Sequence, residues 1–278
     1  MGEEKVWRKG MKRKASVAGA FYPGSPTELR RMLGQMVEPG AKKEKALAVI
    51  SPHAGYIYSG AVAGAVFSSV ELPDTFVILA PSHRPIRSLF ALMKDGEWET
   101  PLGMVPVASE LAGSIMAASK LAKDDPAAHA EEHSLEVQLP FIQYFKPRFS
   151  IVPINISYFA SYQDLEALGK AVAAGIRNFN KDVLIVASTD MSHYISRDEA
   201  KKKDFLAIQK VLDLDPRGLF DVVKSEDISM CGFQPVTAVL IAAKELGAKK
   251  AELVRYATSG DRTGDYSEVV GYAGLRIL

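Results

Sequence analysis

The chain has 278 residues, of which 47% are hydrophobic and 24% are charged, and its formal net charge is +1. This length fits one large α/β domain or two small ones. A charge so close to zero creates no general field for nucleic acid or an anionic membrane, so neither is expected as a partner. The mean hydropathy is +0.01, and no stretch approaches the roughly 18 consecutive apolar residues of a membrane span.

The single cysteine cannot form an internal disulfide, so the fold does not depend on oxidation and a cytoplasmic location is expected. Basic residues cluster between positions 8 and 14, and no apolar segment of the kind found in signal peptides follows them. We expect residues 1–15 to form a flexible basic arm and residues 16–278 to form one domain, because no linker interrupts the pattern. Scarce asparagine beside abundant Lys, Arg and Glu is a weak indication of a thermophile.

The first predicted element is a helix that begins after Ser25 and ends before Pro39. Ser25 can cap its N-terminus, Pro26 suits the first helical position, and Glu28 can return a hydrogen bond to the capping residue. After it, short apolar runs alternate with helical patterns. Strands are predicted at residues 46–50, 75–80, 150–156, 183–188, 252–257 and 269–277, and helices at residues 60–70, 109–121, 134–145, 163–178, 197–212 and 236–246. This alternation predicts an α/β fold with a central, mostly parallel or mixed sheet flanked by helices.

Three of the five histidines follow a buried strand within a few residues. His53 and His83 each lie in a turn that contains a proline, and His193 follows the predicted strand at residues 183–188. In open α/β sheets, ligands and catalytic groups collect in the crevice outside the carboxyl ends of the strands. One histidine in such a place is commonly a loop or capping residue, but three at equivalent strand ends favour a shared pocket.

Cys231 lies just ahead of the predicted helix at residues 236–246. A helix N-terminus stabilises negative charge, so this thiol is biased toward thiolate, and hence toward metal binding or nucleophilic attack. The alternative interpretation is a buried and inert cysteine.

His133 begins another candidate segment, because two acidic residues precede it and a predicted helix follows. Glu131 and Glu132 fit a solvated loop, although either carboxylate could orient a metal-binding histidine. Ser134 can cap the helix, and Glu136 suits its first turn because it complements the helix dipole.

Three further polar residues carry weaker signals. His129 has no sequence context that distinguishes it. Asp261 and Asp265 alternate with glycines after the predicted strand at residues 252–257, a pattern typical of an ordinary turn, and their spacing does not match a calcium-binding EF-hand loop.

Seven segments resemble, in the same order, those of the Memo family. They are VAGAFYPGSPTEL, SPHAGYIYSGAVA, LAPSH, EHSLEVQLPF, STDMSHY, MCGFQP and SGD followed by VVGYAG. The resemblance covers nearly the whole chain after about residue 15. It implies a single α/β domain similar in fold to the class III extradiol ring-cleaving dioxygenases, with a pocket at one end of the sheet.

The resemblance also implies functional residues. His53, His83 and Cys231 correspond to metal-binding residues, and His193 and Asp190 line the same pocket. In the dioxygenases two histidines and a glutamate hold iron, whereas here a cysteine takes the third position. A thiolate makes a site softer, so we expect one divalent or soft transition metal, namely iron, copper or zinc. Prokaryotic Memo-like proteins tend to be encoded beside an AMMECR1-type domain and a radical-SAM protein, which are therefore expected pathway partners.

The residues leave three functions open. The first is a metal-dependent enzyme of redox or dioxygenase type with an unknown small-molecule substrate, in which Asp190 holds His193 as the general acid and base. The second is a non-catalytic binding module, in which the pocket histidines and Arg84 hold a peptide or a small acidic ligand. The third is a hydrolase with Cys231 as nucleophile and His193 as its base. In all three, His133 and Glu132 are further pocket candidates.

Overall fold

The computed structural model of the protein describes residues 10–278. In chain order, its strands are β1 (Lys12–Arg13), β2 (Ala48–Ser51), β3 (Thr75–Pro81), β4 (Phe90–Leu92), β5 (Glu97–Thr100), β6 (Gly103–Pro106), β7 (Ala122–Asp124), β8 (Ser150–Ile156), β9 (Leu184–Ser188), β10 (His193–Ile195), β11 (Ala251–Thr258) and β12 (Val269–Ile277).

The helices are α1 (Pro26–Met36), α2 (Tyr56–Ser68), α3 (Ser109–Ala118), α4 (His133–Glu136), α5 (Leu139–Phe145), α6 (Tyr162–Phe179), α7 (Arg197–Leu212), α8 (Pro216–Ser225), α9 (Phe233–Glu245) and α10 (Gly260–Thr263), with a 3₁₀ turn at Pro126–His129. Within the described residues, no helix combines the length and the apolar character that crossing a bilayer requires.

The main sheet is mixed and has the order β10-β12-β2-β9-β3-β8-β4-β7, with β11 also paired to β12. Its centre consists of four parallel strands, β2, β9, β3 and β8. These strands are rich in Val, Ile and Leu and are almost completely buried, as expected for strands that are covered on both faces. The predicted mixed α/β fold, a central sheet flanked by helices, is confirmed.

Two groups of helices cover the sheet. Helix α9 packs against the central strands and against α6, which in turn contacts α3. Helix α2 packs against β2, β11 and β12 and contacts α1 and α5. The parallel strands therefore sit in the core, and their carboxyl ends open at one edge of the sheet, where the chain makes its functional turns.

The predicted helix at residues 134–145 is interrupted in the structure. It forms two helices, α4 and α5, with Pro140 in the first turn of the second. Proline has no backbone N–H and is compatible with only the first turn of a helix, so a continuous helix through this position is disfavoured. For the same reason α9 tolerates Pro235 in its first turn and begins at Phe233 rather than at the predicted residue 236.

Two other expectations differ from the structure near the N-terminus. Residues 1–9 of the expected arm lie outside the described residues, whereas β1 belongs to the fold, because it pairs in parallel with β5 and Arg13 is only 5% exposed. Ser25 precedes α1 as predicted, but its side chain makes no capping hydrogen bond.

Candidate metal centre

The candidate site begins at the carboxyl ends of β2, β9 and β3, which are neighbours in the sheet. Ser51 lies opposite Ser188 in the register of β2 and β9, and β9 pairs with β3 on its other side. The turns that follow these strands therefore bring His53 and His83 together, with ring centroids 5.2 Å apart at nearly perpendicular planes.

A third imidazole reaches the same place from a different element. His133 is the first residue of α4, and its ring centroid lies 4.5 Å from that of His83 and 5.5 Å from that of His53. One ring nitrogen from each of these three residues lies within 4.8 Å of those of the other two. We call His53, His83 and His133 the histidine triad.

The protonated nitrogen of His53 follows from its neighbours. The Ser188 hydroxyl donates its only hydrogen to the Ser134 carbonyl oxygen at 2.7 Å and accepts a hydrogen bond from Gln138 Nε2 at 2.9 Å. Its remaining lone pair therefore accepts from His53 Nδ1, which lies 3.0 Å away. His53 thus carries its hydrogen on Nδ1 and keeps an unprotonated Nε2.

Glu132 fixes His83 in the same way and lies close to His133. Its carboxylate accepts hydrogen bonds from the backbone N–H and from Nδ1 of His83, at 2.6 and 2.9 Å. The oxygen that accepts from His83 Nδ1, Oε1, also lies 3.4 Å from Nδ1 of His133. It accepts a further hydrogen bond from the backbone N–H of Ser134 at 3.0 Å. Glu132, rather than the predicted Ser134, is therefore the N-cap of α4, and its hydrogen bond with Nδ1 of His83 leaves Nε2 of His83 free.

The electrostatics favour neutral His53 and His133 beside an ionised Glu132. Burial, followed by the nearby His83 and His133, holds the pKa of His53 well below its usual 6.5. Burial also lowers the pKa of His133 to about 4. Burial alone would raise the pKa of Glu132, but its hydrogen bonds from His83 and from the backbone outweigh that effect and lower the pKa to about 2.

Cys231 touches this site but lies outside the triad. Its Sγ is 3.2 Å from His53 Nε2 and accepts a hydrogen bond from the backbone N–H of Asp190 at 3.3 Å. Burial, reinforced by the negative charge of Asp190, raises the pKa of the thiol. In the metal-free protein, burial therefore opposes the thiolate form that the position ahead of α9 was expected to favour.

Asp190 and His193 are present but do not hold each other. Asp190 Oδ1 accepts the backbone N–H of His53 at 2.8 Å, and burial raises the pKa of Asp190 to about 6. His193 instead donates from Nδ1 to the carbonyl oxygen of Ser229 at 2.9 Å, and its backbone N–H bonds to the Ser229 hydroxyl. The neighbouring Tyr194 has a φ of 57°, a strained value for a bulky residue of the kind found near functional sites.

Arg84 and Glu131 lie at the surface. The Arg84 side chain is 64% exposed and its guanidinium is 3.5 Å from the Glu131 carboxylate, which is also exposed. Arg84 is not among the residues that line the cavity over the histidine triad. Its predicted role at the pocket mouth therefore finds no support in its position.

The cavity over the triad has a volume of about 640 Å³. His193 and Asp190 line it together with the triad, and the lining also includes the aromatic side chains of Tyr58, Tyr194 and Tyr272. Among the described residues the lining includes the carboxylates of Asp265 and Glu268 but no lysine or arginine. Cys231 borders a separate cavity of about 510 Å³, which His83 also lines.

Sequence reasoning missed several residues that hold the site. Ser188 and Gln138 fix His53, and Ser229 fixes His193. Gln138 carried a usable signal, because it lies between the apolar residues Val137 and Leu139, where a buried amide needs a partner. Asp265, by contrast, accepts hydrogen bonds from Ser267 within its own turn, as predicted for an ordinary turn.

Comparison with known proteins places the chain in a family. A family model for Memo-like proteins matches residues 13–276. The chain is 40% identical to a MEMO1 family protein of Methanopyrus kandleri, covering 95% of this chain and 98% of that protein. It is 42% identical to a MEMO1 family protein of Methanothermobacter thermautotrophicus, covering 95% and 100%, and 43% identical to one of Pyrobaculum arsenaticum, covering 95% and 98%.

These relatives come from thermophilic archaea. The crystal structure of an uncharacterised protein from Escherichia coli K12 superposes with a TM-score of 0.52 at 12% identity, covering 82% of this chain and 99% of that one, and so shares the fold alone. The resemblance seen in seven segments of the sequence is confirmed over the length of the domain, and the chain belongs to the Memo-like protein family.

Proposed function

We propose that this protein binds one transition-metal ion at the histidine triad and acts as a metal-dependent enzyme of redox or dioxygenase type. The observation that carries the proposal is the arrangement of three imidazoles whose ligand nitrogens lie within 4.8 Å of one another. Nδ1 of His53 and Nδ1 of His83 are each hydrogen-bonded to an oxygen acceptor, and Nδ1 of His133 lies 3.4 Å from Glu132 Oε1. Metal-binding histidines typically use one ring nitrogen as ligand while the other donates to a carboxylate, carbonyl or similar acceptor. When bound, such an ion would supply Lewis-acid or redox chemistry.

Two ligand sets deserve a direct test. The family resemblance favours His53, His83 and Cys231, and the 3.2 Å contact between Cys231 Sγ and His53 Nε2 keeps that set available. The ring geometry favours His133 as the third ligand, because its nitrogen lies within reach of both other histidines. The set with cysteine would prefer copper, zinc or a thiolate-tolerant iron site, whereas three imidazoles suit zinc, copper or iron.

His193 is the proposed general acid and base. The Ser229 carbonyl fixes its hydrogen on Nδ1, so Nε2 is free to take a proton from a ligand in the cavity. Asp190 acts elsewhere in this proposal, because it bonds to the backbone of His53 and orients that turn.

The two other functions are less well supported. A binding module for an acidic ligand needs a cation in the cavity, and the described lining has no lysine or arginine. A hydrolase with Cys231 and His193 needs a hydrogen bond between them, whereas in the described residues the thiol contacts His53 instead. The substrate, the AMMECR1-type and radical-SAM partners and the cytoplasmic location remain predictions from the sequence.

Metal content tests the proposal. Wild type and the variants His83→Ala and His133→Ala should be loaded anaerobically with Fe(II), Cu(I) or Zn(II), dialysed and analysed for metal. We expect about one ion per chain in the wild type. Both variants should lose metal affinity by at least the roughly 10–100-fold that is typical when a hydrogen-bond partner of a metal ligand is removed. His193→Ala is the matched control, since it removes an imidazole from the same cavity outside the triad.

Spectroscopy of Co(II)- or Cu(II)-loaded protein decides the third ligand. A thiolate-to-metal absorption band that disappears in Cys231→Ser would assign the cysteine, and its absence from the wild type would assign the three imidazoles. Undiminished metal content in both His83→Ala and His133→Ala would overturn the proposal.

A further inference from the structure

Arg13 is a buried cation that lies outside the metal centre. It belongs to β1, is 5% exposed, and its guanidinium stacks over the Trp98 ring with the central carbon 4.3 Å from the ring centroid. Burying a charge is costly unless it is fully hydrogen-bonded. The contacts that compensate this charge therefore show what the residue is holding.

Those contacts converge on the chain segment that supplies Glu132 and His133 to the metal centre. Arg13 Nε donates to the carbonyl oxygen of His129 at 2.9 Å, and Nη2 donates to the carbonyl oxygen of Glu132 at 2.7 Å. Nη1 donates to the carboxylate of Glu136. One side chain thus binds residues 129, 132 and 136. It therefore holds the chain on both sides of His133.

This segment needs an external support. Helix α4 has only four residues, far fewer than the ~12–15 that a marginally stable isolated helix requires. Glu132 must nevertheless hold its carboxylate in place, because it accepts Nδ1 of His83 at 2.9 Å and lies 3.4 Å from Nδ1 of His133. A small displacement of the Glu132 backbone would therefore change two histidines at once.

The far end of the segment is tied to the same N-terminal chain. The Glu136 carboxylate accepts hydrogen bonds from the backbone N–H of Ser16 at 2.9 Å, from that of Val17 at 3.1 Å, and from the Tyr22 hydroxyl at 2.5 Å. Burial opposes the ionised form of Glu136, but Arg13 and these donors hold its pKa below the usual range. The N-terminal segment therefore clamps α4 through Arg13, Ser16, Val17 and Tyr22, none of which lines the cavity over the triad.

We infer that Arg13 is a positioning residue for the metal centre, acting through the backbone of Glu132 to set His83 and His133; this inference rests on the proposed metal-binding function. Lysine does not replace it, because a single ammonium cannot reach two carbonyls and a carboxylate at once. The planar guanidinium has N–H donors that point in several fixed directions. The N-terminal strand, far in sequence from every proposed ligand, thereby contributes to metal affinity.

The experiment must separate positioning from simple loss of stability. Arg13→Met leaves the buried Glu136 charge unpaired and is expected to destabilise the fold, whereas Arg13→Met with Glu136→Gln removes both charges and restores much of the stability. In the double variant, compared at equal folded fraction, we expect metal affinity to remain about 10–100-fold weaker than in the wild type. The Arg13→Lys variant should likewise bind the metal more weakly than the wild type does.

Arg276→Met with Glu252→Gln is the matched control. Arg276 is another arginine that binds a glutamate, at 2.6–2.8 Å, and a backbone carbonyl, that of Ser69 at 2.9 Å. It belongs to β12, and neither partner is a proposed ligand or cavity residue, so metal affinity should be unchanged.

A second readout does not depend on metal. Imidazole ¹H–¹⁵N spectra of the metal-free wild type should show a hydrogen-bonded Nδ1–H for His83, and the Arg13 double variant should lose this signature. If the wild type binds no metal, the proposed function fails while the spectra still test the positioning role. Wild-type affinity together with a wild-type His83 signature in the folded double variant would overturn the inference.

Discussion

Ser51 and Ser188 end two neighbouring parallel strands, lie opposite each other in register and are both fully buried, yet their hydroxyl groups differ in function. Ser188 joins His53 to Gln138 and to the Ser134 carbonyl. The Ser51 hydroxyl has no hydrogen-bond partner among the described residues. The pair therefore isolates what a hydroxyl contributes at this edge of the sheet.

We expect Ser188→Ala to weaken metal binding by about 10–100-fold, the usual effect of removing an outer-shell partner of a metal ligand. Without the serine acceptor, Nδ1 of His53 has no partner and the hydrogen can move to Nε2, which blocks the ligand nitrogen. Ser51→Ala should leave the affinity unchanged, since it removes a hydroxyl that has no hydrogen-bond partner in residues 10–278. Competition titrations against a chromophoric chelator measure both, and equal affinities in the two variants would contradict this account of His53.

At the scale of elements, α2 follows directly after the turn that contains His53, and it packs closely against the end of α1. A methyl group built on Gly64 would lie 2.1 Å from the carbonyl oxygen of Met36, far inside van der Waals contact. Glycine is required there because two backbones approach each other directly.

Gly64→Ala should therefore destabilise the protein by about 1–3 kcal/mol or more, as overpacking of a rigid contact does. Gly113→Ala is the matched substitution in α3, where the new methyl group meets only the Lys94 side chain at 3.8 Å. That variant should be stabilised by about 0.5–1 kcal/mol, because alanine is the better helix former. Urea unfolding of both proteins measures the free energies, and a shift of the same sign in both would refute the steric explanation.

Periodicity and strand ends predicted the elements that position His53, His83 and His193, because buried parallel strands produce unmistakable apolar runs. The same reasoning did not resolve β4 to β7, whose three or four residues are too short to show a pattern. It also underrated His133, which reaches the site from a helix start rather than a strand end. Glu132 looked like a surface residue because only the tertiary structure shows that two histidine rings cover it.

At the scale of the whole molecule, folding lowers the pKa of buried histidines, so that they lose their protons. His129 is fully buried beside Trp98, with ring centroids 5.6 Å apart, and burial followed by the charge of Arg13 lowers its pKa to about 3. Below pH 6.5 the unfolded chain binds a proton at this residue that the folded protein cannot hold. Its contribution to stability is therefore complete above pH 6.5 and is lost as the pH falls toward 3.

The free energy of unfolding of the metal-free protein should consequently decrease between pH 7.5 and pH 5. His129→Phe, which keeps an aromatic ring against Trp98, should lessen this decrease by about 2 kcal/mol, the effect of one proton over ~1.5 pH units below 6.5. Urea unfolding at the two pH values measures the difference. If the free energy of unfolding changed equally with pH in the variant and in the wild type, His129 would accept its proton in the folded state as well as in the unfolded state.

Four well-separated segments bring the triad and Cys231 together: residues 53, 83, 133 and 231 meet only when the parallel sheet and α9 are in place. An unfolded chain therefore cannot imitate the site with a short local loop, unlike a zinc finger whose ligands are close in sequence. Every fluctuation that separates β2 from β3 must also release the ion, so a bound metal would slow the opening of the sheet. Amide hydrogen exchange in β2 and β3 would then be slower in the metal-loaded protein than in the metal-free protein.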